Sequence, residues 1–284
     1  MLALIRAHRG SHAMQAQGLA AAALVRNALR DKLARGEVVS SLIVRLSRGI
    51  EIAQIACAAG FDSLYVDLEH SSLSLDIAGQ ICLAAQALDV TPLIRVPTNR
   101  PEWICRALDA GALGVIAPHV ESATEAREVV RLARFPPRGQ RSMVGQLPQL
   151  QYRAFPPTEA CVAVDRATMV VVQLEGAAAI EAVEDIMAVD GVDMAMIGAN
   201  DLMADFGLAG DYAHPRLHDA FERSIAACAK FGKYAGIGGL GGQPELQAKF
   251  IAMGARYVSC GTDASMLLSA ATAKVRQVKE MSGR

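Results

Sequence analysis

Two stretches end an apolar run in a carboxylate: Val170-Val171-Val172-Gln173-Leu174-Glu175-Gly176 and Met196-Ile197-Gly198-Ala199-Asn200-Asp201-Leu202. A strand buried on both faces reads as a continuous apolar run, so an acid at its end stands where the backbone leaves the core and meets solvent. The helical stretch Ala178 to Met187 lies between them and makes the two ends point the same way. Two carboxylates converging on one mouth, with room left for water, meet the demands of a hard divalent cation such as Mg²⁺ or Mn²⁺. Glu175 and Asp201 are read as its ligands. A second set of groups lies in Tyr65-Val66-Asp67-Leu68-Glu69-His70. There His70 fits a general base or a partner to a metal-held water, with Asp67 orienting it or pairing a cation; a solvated polar loop capping the next helix accounts for the same residues. Arg95, between Ile94 and Val96, needs an anionic partner, either Asp67 or a substrate oxygen that gains charge. His119, after Ala117-Pro118, reads as a wall residue.

Placing these groups at one mouth requires a particular scaffold, and the chain repeats one unit eight times. Strands are expected at Val38 to Val44, Ser63 to Asp67, Pro92 to Val96, Leu113 to Ala117, Met169 to Leu174, Met194 to Ile197, Tyr234 to Ile237 and Arg256 to Ser259. The helices that follow them are expected at Ile50 to Ala59, Leu75 to Leu88, Pro101 to Ala110, Ala123 to Ala133, Ala178 to Met187, Pro215 to Phe231, Pro244 to Met253 and Asp263 to Val278. Gly60 and Gly111 close two of these helices, and Pro101 opens one where its missing N–H costs nothing. Eight such units predict an α/β fold, a (β/α)₈ TIM barrel in a single domain, preceded by an amphipathic N-terminal helix. An open doubly wound sheet fits less well, because the first strand is not followed by a glycine-rich nucleotide fingerprint. Residues 1–17 read as an extension outside the domain, which runs over 18–284. The long Phe135 to Ala167 connection, rich in proline, is expected to be a lid or specificity element at the mouth. The glycines from Gly236 to Gly242, with Gly261, suit either a phosphate or a mouth kept open for a bulky acceptor.

Composition narrows the partners. The 284 residues are 52% hydrophobic and 20% charged, with a formal net charge of -1. That gives no basic field for nucleic acid or anionic lipid, and no apolar run has the length needed to span a bilayer. Six scattered cysteines without Cys-x-x-Cys spacing read as reduced core residues of a cytoplasmic protein. A small molecule is the expected partner.

In this order, Gly60-Phe61-Asp62, Asp67-Leu68-Glu69-His70, Arg95-Val96-Pro97, Leu108-Asp109-Ala110-Gly111-Ala112, Pro136-Pro137-Arg138-Gly139, Gln173-Leu174-Glu175 and Gly198-Ala199-Asn200-Asp201-Leu202 resemble the HpcH/HpaI group of class II, metal-dependent pyruvate aldolases, a group similar to macrophomate synthase. The resemblance runs from about Leu29 to the C-terminal helix. It implies reversible cleavage of a 4-hydroxy-2-oxo acid to pyruvate and an aldehyde, through an enolate stabilised by a divalent metal. Mg²⁺ or Mn²⁺ is the expected ion, with Co²⁺ or Zn²⁺ as alternatives. Oxaloacetate decarboxylation and a macrophomate-synthase-like condensation would use the same enolate, and a barrel that binds 2-oxo acids without turnover is the non-catalytic alternative. The resemblance further implies His70 and Arg95 as a catalytic pair with Asp109 as a supporting acid, and Gln173 with Gly198, Ala199 and Asn200 at the substrate. It implies a homo-oligomer, a hexamer built as a trimer of dimers. Three departures stand out: Ala199 and Met203 replace the usual proline and serine, Leu68 stands where glycine is common, and Ser142 to Tyr152 lacks the usual arginine-alanine pattern.

Overall fold

A computed structural model describes residues 20–143 and 145–282. Eight strands, β1 (Val39–Val44), β2 (Ser63–Asp67), β3 (Thr91–Arg95), β4 (Gly114–Ala117), β5 (Met169–Leu174), β6 (Met194–Gly198), β7 (Tyr234–Gly238) and β8 (Tyr257–Thr262), pair in sequence order. Every pairing is parallel, and β8 returns to β1 to close the barrel. The strands are apolar on both faces because both are covered. Val39, Tyr65, Leu93, Ile116, Met169, Val171, Met194, Met196 and Tyr257 fill the lumen. Leu42, Val44, Leu64, Val66, Val170 and Val172 pack outward in the core beneath the surrounding helices.

This alternation decides what reaches the mouth, since side chains two apart on a strand share a face. Val39, Ser41 and Ile43 lead to Arg45; Tyr65 leads to Asp67; Leu93 leads to Arg95; Met169 and Val171 lead to Gln173 and Glu175. On the other half of the rim, β6, β7 and β8 end in Gly198, Gly238 and the Gly261-Thr262 pair, and all three glycines border the mouth. One half of the mouth therefore carries charge and the other carries space.

Helix Ala28–Ala34 plugs the opposite end of the barrel, with Leu29 and Leu33 in the lumen cluster and the Leu29 N–H donating to Thr91 Oγ1 at 3.1 Å. The sequence pattern suggested one helix from about Gly18 onward. The described part is instead two helices, Ala21–Leu24 and Ala28–Ala34, because Asn27 leaves the helix to cap the second one through the Arg30 N–H. The expected boundary between residues 17 and 18 lies outside the described residues.

The long connection also differs from expectation. Phe135 to Ala167 contains a 3₁₀ turn at Pro148–Leu150 and a helix at Pro157–Ala167. It packs with Ala21, Val25 and Leu113 at the end of the barrel away from the mouth. The physical reason is direction: it joins a helix to the next strand, and such connections lie at the strands' N-terminal ends, so within one subunit it is no lid. Two further differences concern helices. The Ala178 to Met187 stretch is divided at Ala182 into Ala177–Glu181 and Val183–Met187. Directly after β6 comes an unexpected short helix, Ala199–Asp205, which puts Asn200 and Asp201 on a first helical turn rather than on a loop. The last helix, Asp263–Met281, starts with a capping box between Thr262 and Ser265 and buries only Asp263. Leu267 and Leu268 on it are 63% and 69% exposed, as Val275, Val278 and Met281 largely are.

Candidate active site

A cavity of about 920 Å³ opens at the C-terminal ends of the strands. Its wall includes His70, Arg95, Gln173, Gly198, Asn200 and Asp201, which are six of the residues singled out by sequence, together with Arg45, Tyr65 and much of the glycine half of the rim.

Asp67 is the anchor of the charged half, with a fully buried side chain. Arg95 clamps it with two bonds, Nε to Oδ1 at 2.9 Å and Nη2 to Oδ2 at 2.6 Å, and Arg45 adds Nε to Oδ2 at 2.6 Å. The backbone N–H groups of Glu69 and His70 donate to Oδ1. Burial by itself raises this carboxyl's pKa, but the two guanidinium groups outweigh it and hold Asp67 below the ordinary aspartate value. Of the two alternatives for Arg95, the pairing with Asp67 is thus present. Its Nη1 also lies 2.8 Å from Glu69 Oε2, and its guanidinium stands over the Tyr65 ring at 5.4 Å. Three of its five N–H donors are thereby occupied and two are left for a ligand. His70, half exposed, lines the cavity with its imidazole Nε2 3.8 Å from Glu69 Oε2, and Asp67 holds its backbone rather than its ring.

On the far side, Glu175 is 5% exposed. Gln173 Nε2 donates to its Oε2 at 2.6 Å, and the His119 N–H and ring Nδ1 both lie 2.9 Å from its Oε1. Gln173 is itself held by the Tyr65 hydroxyl, which donates to Oε1 at 3.0 Å. Burial raises the Glu175 pKa, and the charge of nearby Asp201 raises it further; the Gln173 and His119 contacts offset this only in part. No arginine or lysine among the described residues pairs with Glu175 or Asp201, because Arg45 and Arg95 are committed to Asp67 and Glu69. Two acids left with surplus negative charge at adjacent strand ends fit a hard dication. Gly198 leaves the room: a Cβ there would stand 2.9 Å from Glu175 Oε2. The described residues also include His218, Asp219 and Glu222 within ligand distance of one another, but these lie on the outer helix Pro215–Lys230 and none of them lines the cavity.

Asp109 is not part of this constellation within the subunit. It ends helix Pro101–Asp109 at the barrel's other end, where the fully buried Arg141 donates Nη2 to its Oδ1 at 2.7 Å. Ala199 turns its side chain into the core, and Asn200 Oδ1 accepts from the Tyr212 hydroxyl at 2.6 Å.

Sequence reading missed three participants. Glu69 links Arg95 to His119, whose Nε2 lies 2.8 Å from Glu69 Oε1, so His119 is a bridge between Glu69 and Glu175 rather than simply a wall. The bridge depends on a backbone φ of +52° at His119, unusual for a residue other than glycine and invisible to pattern reading. Arg45 was legible, because it continues the two-residue alternation of β1. Its backbone is fixed by Asp263, whose carboxylate accepts the N–H groups of Arg45, Leu46 and Ser47.

That contact yields a pH prediction. Burial tends to raise the Asp263 pKa, but the three backbone donors prevail and lower it. A carboxyl whose folded pKa is depressed adds stability above its unfolded pKa and loses that contribution as pH falls through the folded value. Asp263→Asn should therefore lower Tm at neutral pH, and the gap to the parent should close progressively once the pH drops below about 4. A Tm difference that stays constant down to strongly acid pH would show that the carboxylate charge has no part in holding this turn.

The profile of the HpcH/HpaI aldolase/citrate lyase family matches residues 46–270. The chain is 40% identical over 244 residues to a 4-hydroxy-4-methyl-2-oxoglutarate aldolase, tasA, of Hapsidospora irregularis, covering 85% of this chain and 90% of that protein. It is 38% identical over 250 residues to the similarly named cghB of Chaetomium globosum, covering 86% and 92%. Among solved structures, an HpcH/HpaI aldolase from Desulfitobacterium hafniense superposes with a TM-score of 0.84 at 28% identity, covering 90% of this chain and 98% of that one.

Proposed function

Because the chain belongs to the HpcH/HpaI aldolase/citrate lyase family, we propose that it is a carbon-carbon lyase that reversibly cleaves a 4-hydroxy-2-oxo acid into pyruvate and a carbonyl compound. The observation that carries this reading is that Glu175, buried against Gln173 and His119, and Asp201, on the cavity wall, have no arginine or lysine partner among the described residues, while a clamped guanidinium and the half-exposed His70 imidazole line the same cavity.

Glu175 and Asp201 would hold a divalent ion, Mg²⁺ or Mn²⁺ by their all-oxygen donor set. When bound, that ion supplies electrophilic assistance to the 2-oxo group. The two remaining N–H donors of Arg95 face oxygen charge as it develops there, and the Asp67 clamp keeps them in place at no cost during reaction. His70 takes the proton of the 4-hydroxyl, the C3–C4 bond breaks, and its electron pair passes toward the 2-oxo oxygen to give the enolate. The carbonyl product departs and a proton returned to C3 yields pyruvate. Gln173 positions Glu175, and the backbone of Gly198 and Asn200 on the cavity wall, with Ala199 between them, would border the substrate carboxylate. The test is pyruvate release from a panel of 4-hydroxy-2-oxo acids, with and without added divalent ion, alongside exchange of pyruvate C3 protons. Metal-dependent release with exchange is expected; absence of both would remove the aldolase reading.

The same proposal covers assembly and location. A homo-oligomer, as a trimer of dimers, gives the exposed apolar face of helix Asp263–Met281 a second copy to bury it. It also gives Asp109 a task, because Oδ1 is held by Arg141 while Oδ2 is unengaged among the described contacts and the side chain is 35% exposed. Presented to a neighbour's mouth, that carboxylate would orient His70 there. Mixing inactive Asp109→Ala and His70→Ala chains should then restore activity at interfaces that pair two intact partners. No recovery after verified subunit exchange would place both residues in one chain or take Asp109 out of the mechanism. A single barrel domain and a cytoplasmic location belong to this reading as well, the latter supported by six cysteines that are all unpaired. No helix of the described residues is long and apolar enough to cross a membrane.

A further inference from the structure

We infer that Arg45 is the side chain that receives a carboxylate carried on the C4 side of the substrate, and that it sets the preference for an acid at that position over its neutral analogue. The inference deepens the aldol-cleavage reading and rests on it.

Arg45 is fixed at both ends. Asp263 holds its backbone and that of the next two residues, and Asp67 Oδ2 accepts from its Nε at 2.6 Å. Its two outer nitrogens have no hydrogen-bond partner among the described residues, its side chain is 35% exposed, and it lines the cavity. A merely structural arginine would aim its forked edge at the acid it neutralises. Asp67 already takes that fork from Arg95, and Arg45 meets it through Nε alone. The unused edge, Nη1 with Nη2, is the planar pair of donors that matches a carboxylate.

Position sets which carboxylate it meets. In a closed eight-stranded barrel β1 lies opposite β5, so Arg45 faces Glu175 and Asp201 across the mouth. A 2-oxo acid seated on the β5 and β6 side extends its C4 substituent past Arg95 and His70 toward β1 and β8. The cavity is roomy and polar there, with the hydroxyls of Ser259, Thr262 and Ser265 and the bare backbone of Gly261 in its wall. Arg45 lies where the carbon that becomes the carbonyl product carries its substituent.

The test compares two substrates that differ only at that substituent, a carboxylate against the corresponding carboxamide, on the wild-type chain, Arg45→Gln and Arg45→Lys. The wild-type chain should favour the acid in kcat/KM by about 10²-fold, the scale of a hydrogen-bonded charge pair. Arg45→Gln should bring the two within about threefold of each other, chiefly by raising KM for the acid, and Arg45→Lys should keep part of the preference. Pyruvate C3 proton exchange, which needs no C4 substituent, reports the other half of the site. Equal use of acid and amide by the wild-type chain overturns the inference whatever the variants do. So does an unchanged preference in Arg45→Gln with exchange intact. A wild-type chain that neither exchanges pyruvate protons nor releases pyruvate from either substrate refutes the aldolase reading instead, and the inference falls with it.

Discussion

Glu175→Gln is expected to lose divalent-ion binding and at least about 10³-fold in pyruvate release, with Asp201→Asn behaving alike. Each change replaces an anionic oxygen donor by a neutral amide of the same shape, so the fold loses little. The two variants need not be equal. Glu175 is buried and held by three contacts from Gln173 and His119, whereas Asp201 is exposed on the first turn of a short helix without a partner among the described contacts. Glu175→Gln should therefore fail more completely, while Asp201→Asn should recover a little activity at high metal concentration. Metal content after dialysis, isothermal titration with Mn²⁺ and pyruvate release measure all three quantities. If both variants keep full metal content and turnover, these carboxylates are not the ligands.

Arg95→Lys should cost roughly 10²-fold in turnover, the scale seen when one preorganised oxyanion donor is removed. An ammonium restores the charge beside Asp67 but not the fork that binds Asp67 and still leaves two donors for a ligand. Substrate KM should move less than kcat, since the lost contact strengthens only as charge develops. Pyruvate C3 exchange should fall in parallel, and Tm should change by only a few degrees because Arg45 continues to neutralise Asp67. Undiminished exchange would exclude Arg95 as the partner of the enolate oxygen.

The barrel was readable because its strands are apolar on both faces and its helices are punctuated by Gly60, Pro101 and Gly111, so local chemistry and fold agree. The rim positions of Glu175 and Arg95 were readable for the same reason: an ionic residue ending an apolar run has few places to go. What escaped depended on geometry that period and composition do not encode. His119 needs its positive φ to reach two acids at once, and helix Ala199–Asp205 begins without a break from β6. The proline and arginine content of Phe135 to Ala167 suggests a lid, whereas its direction, from helix to strand, sends it to the barrel's other end. Arg45 was missed although the alternation Val39, Ser41, Ile43 led straight to it, because it lies one residue past the strand's end.

The glycine half of the rim bears on how this enzyme's substrate range can be redesigned. At most of these positions a methyl group would crowd backbone or strain it: a Cβ on Gly238 would stand 3.0 Å from the Ile197 carbonyl oxygen, one on Gly241 3.0 Å from that of Cys260, and Gly239 has a φ of +79°. Gly242 is different, since a Cβ there meets nothing within 4 Å, yet it borders the same cavity. A mutant library for new acceptors should begin at that codon, where a side chain can narrow or recolour the chamber without disturbing Glu175, Asp201 or the arginine clamp.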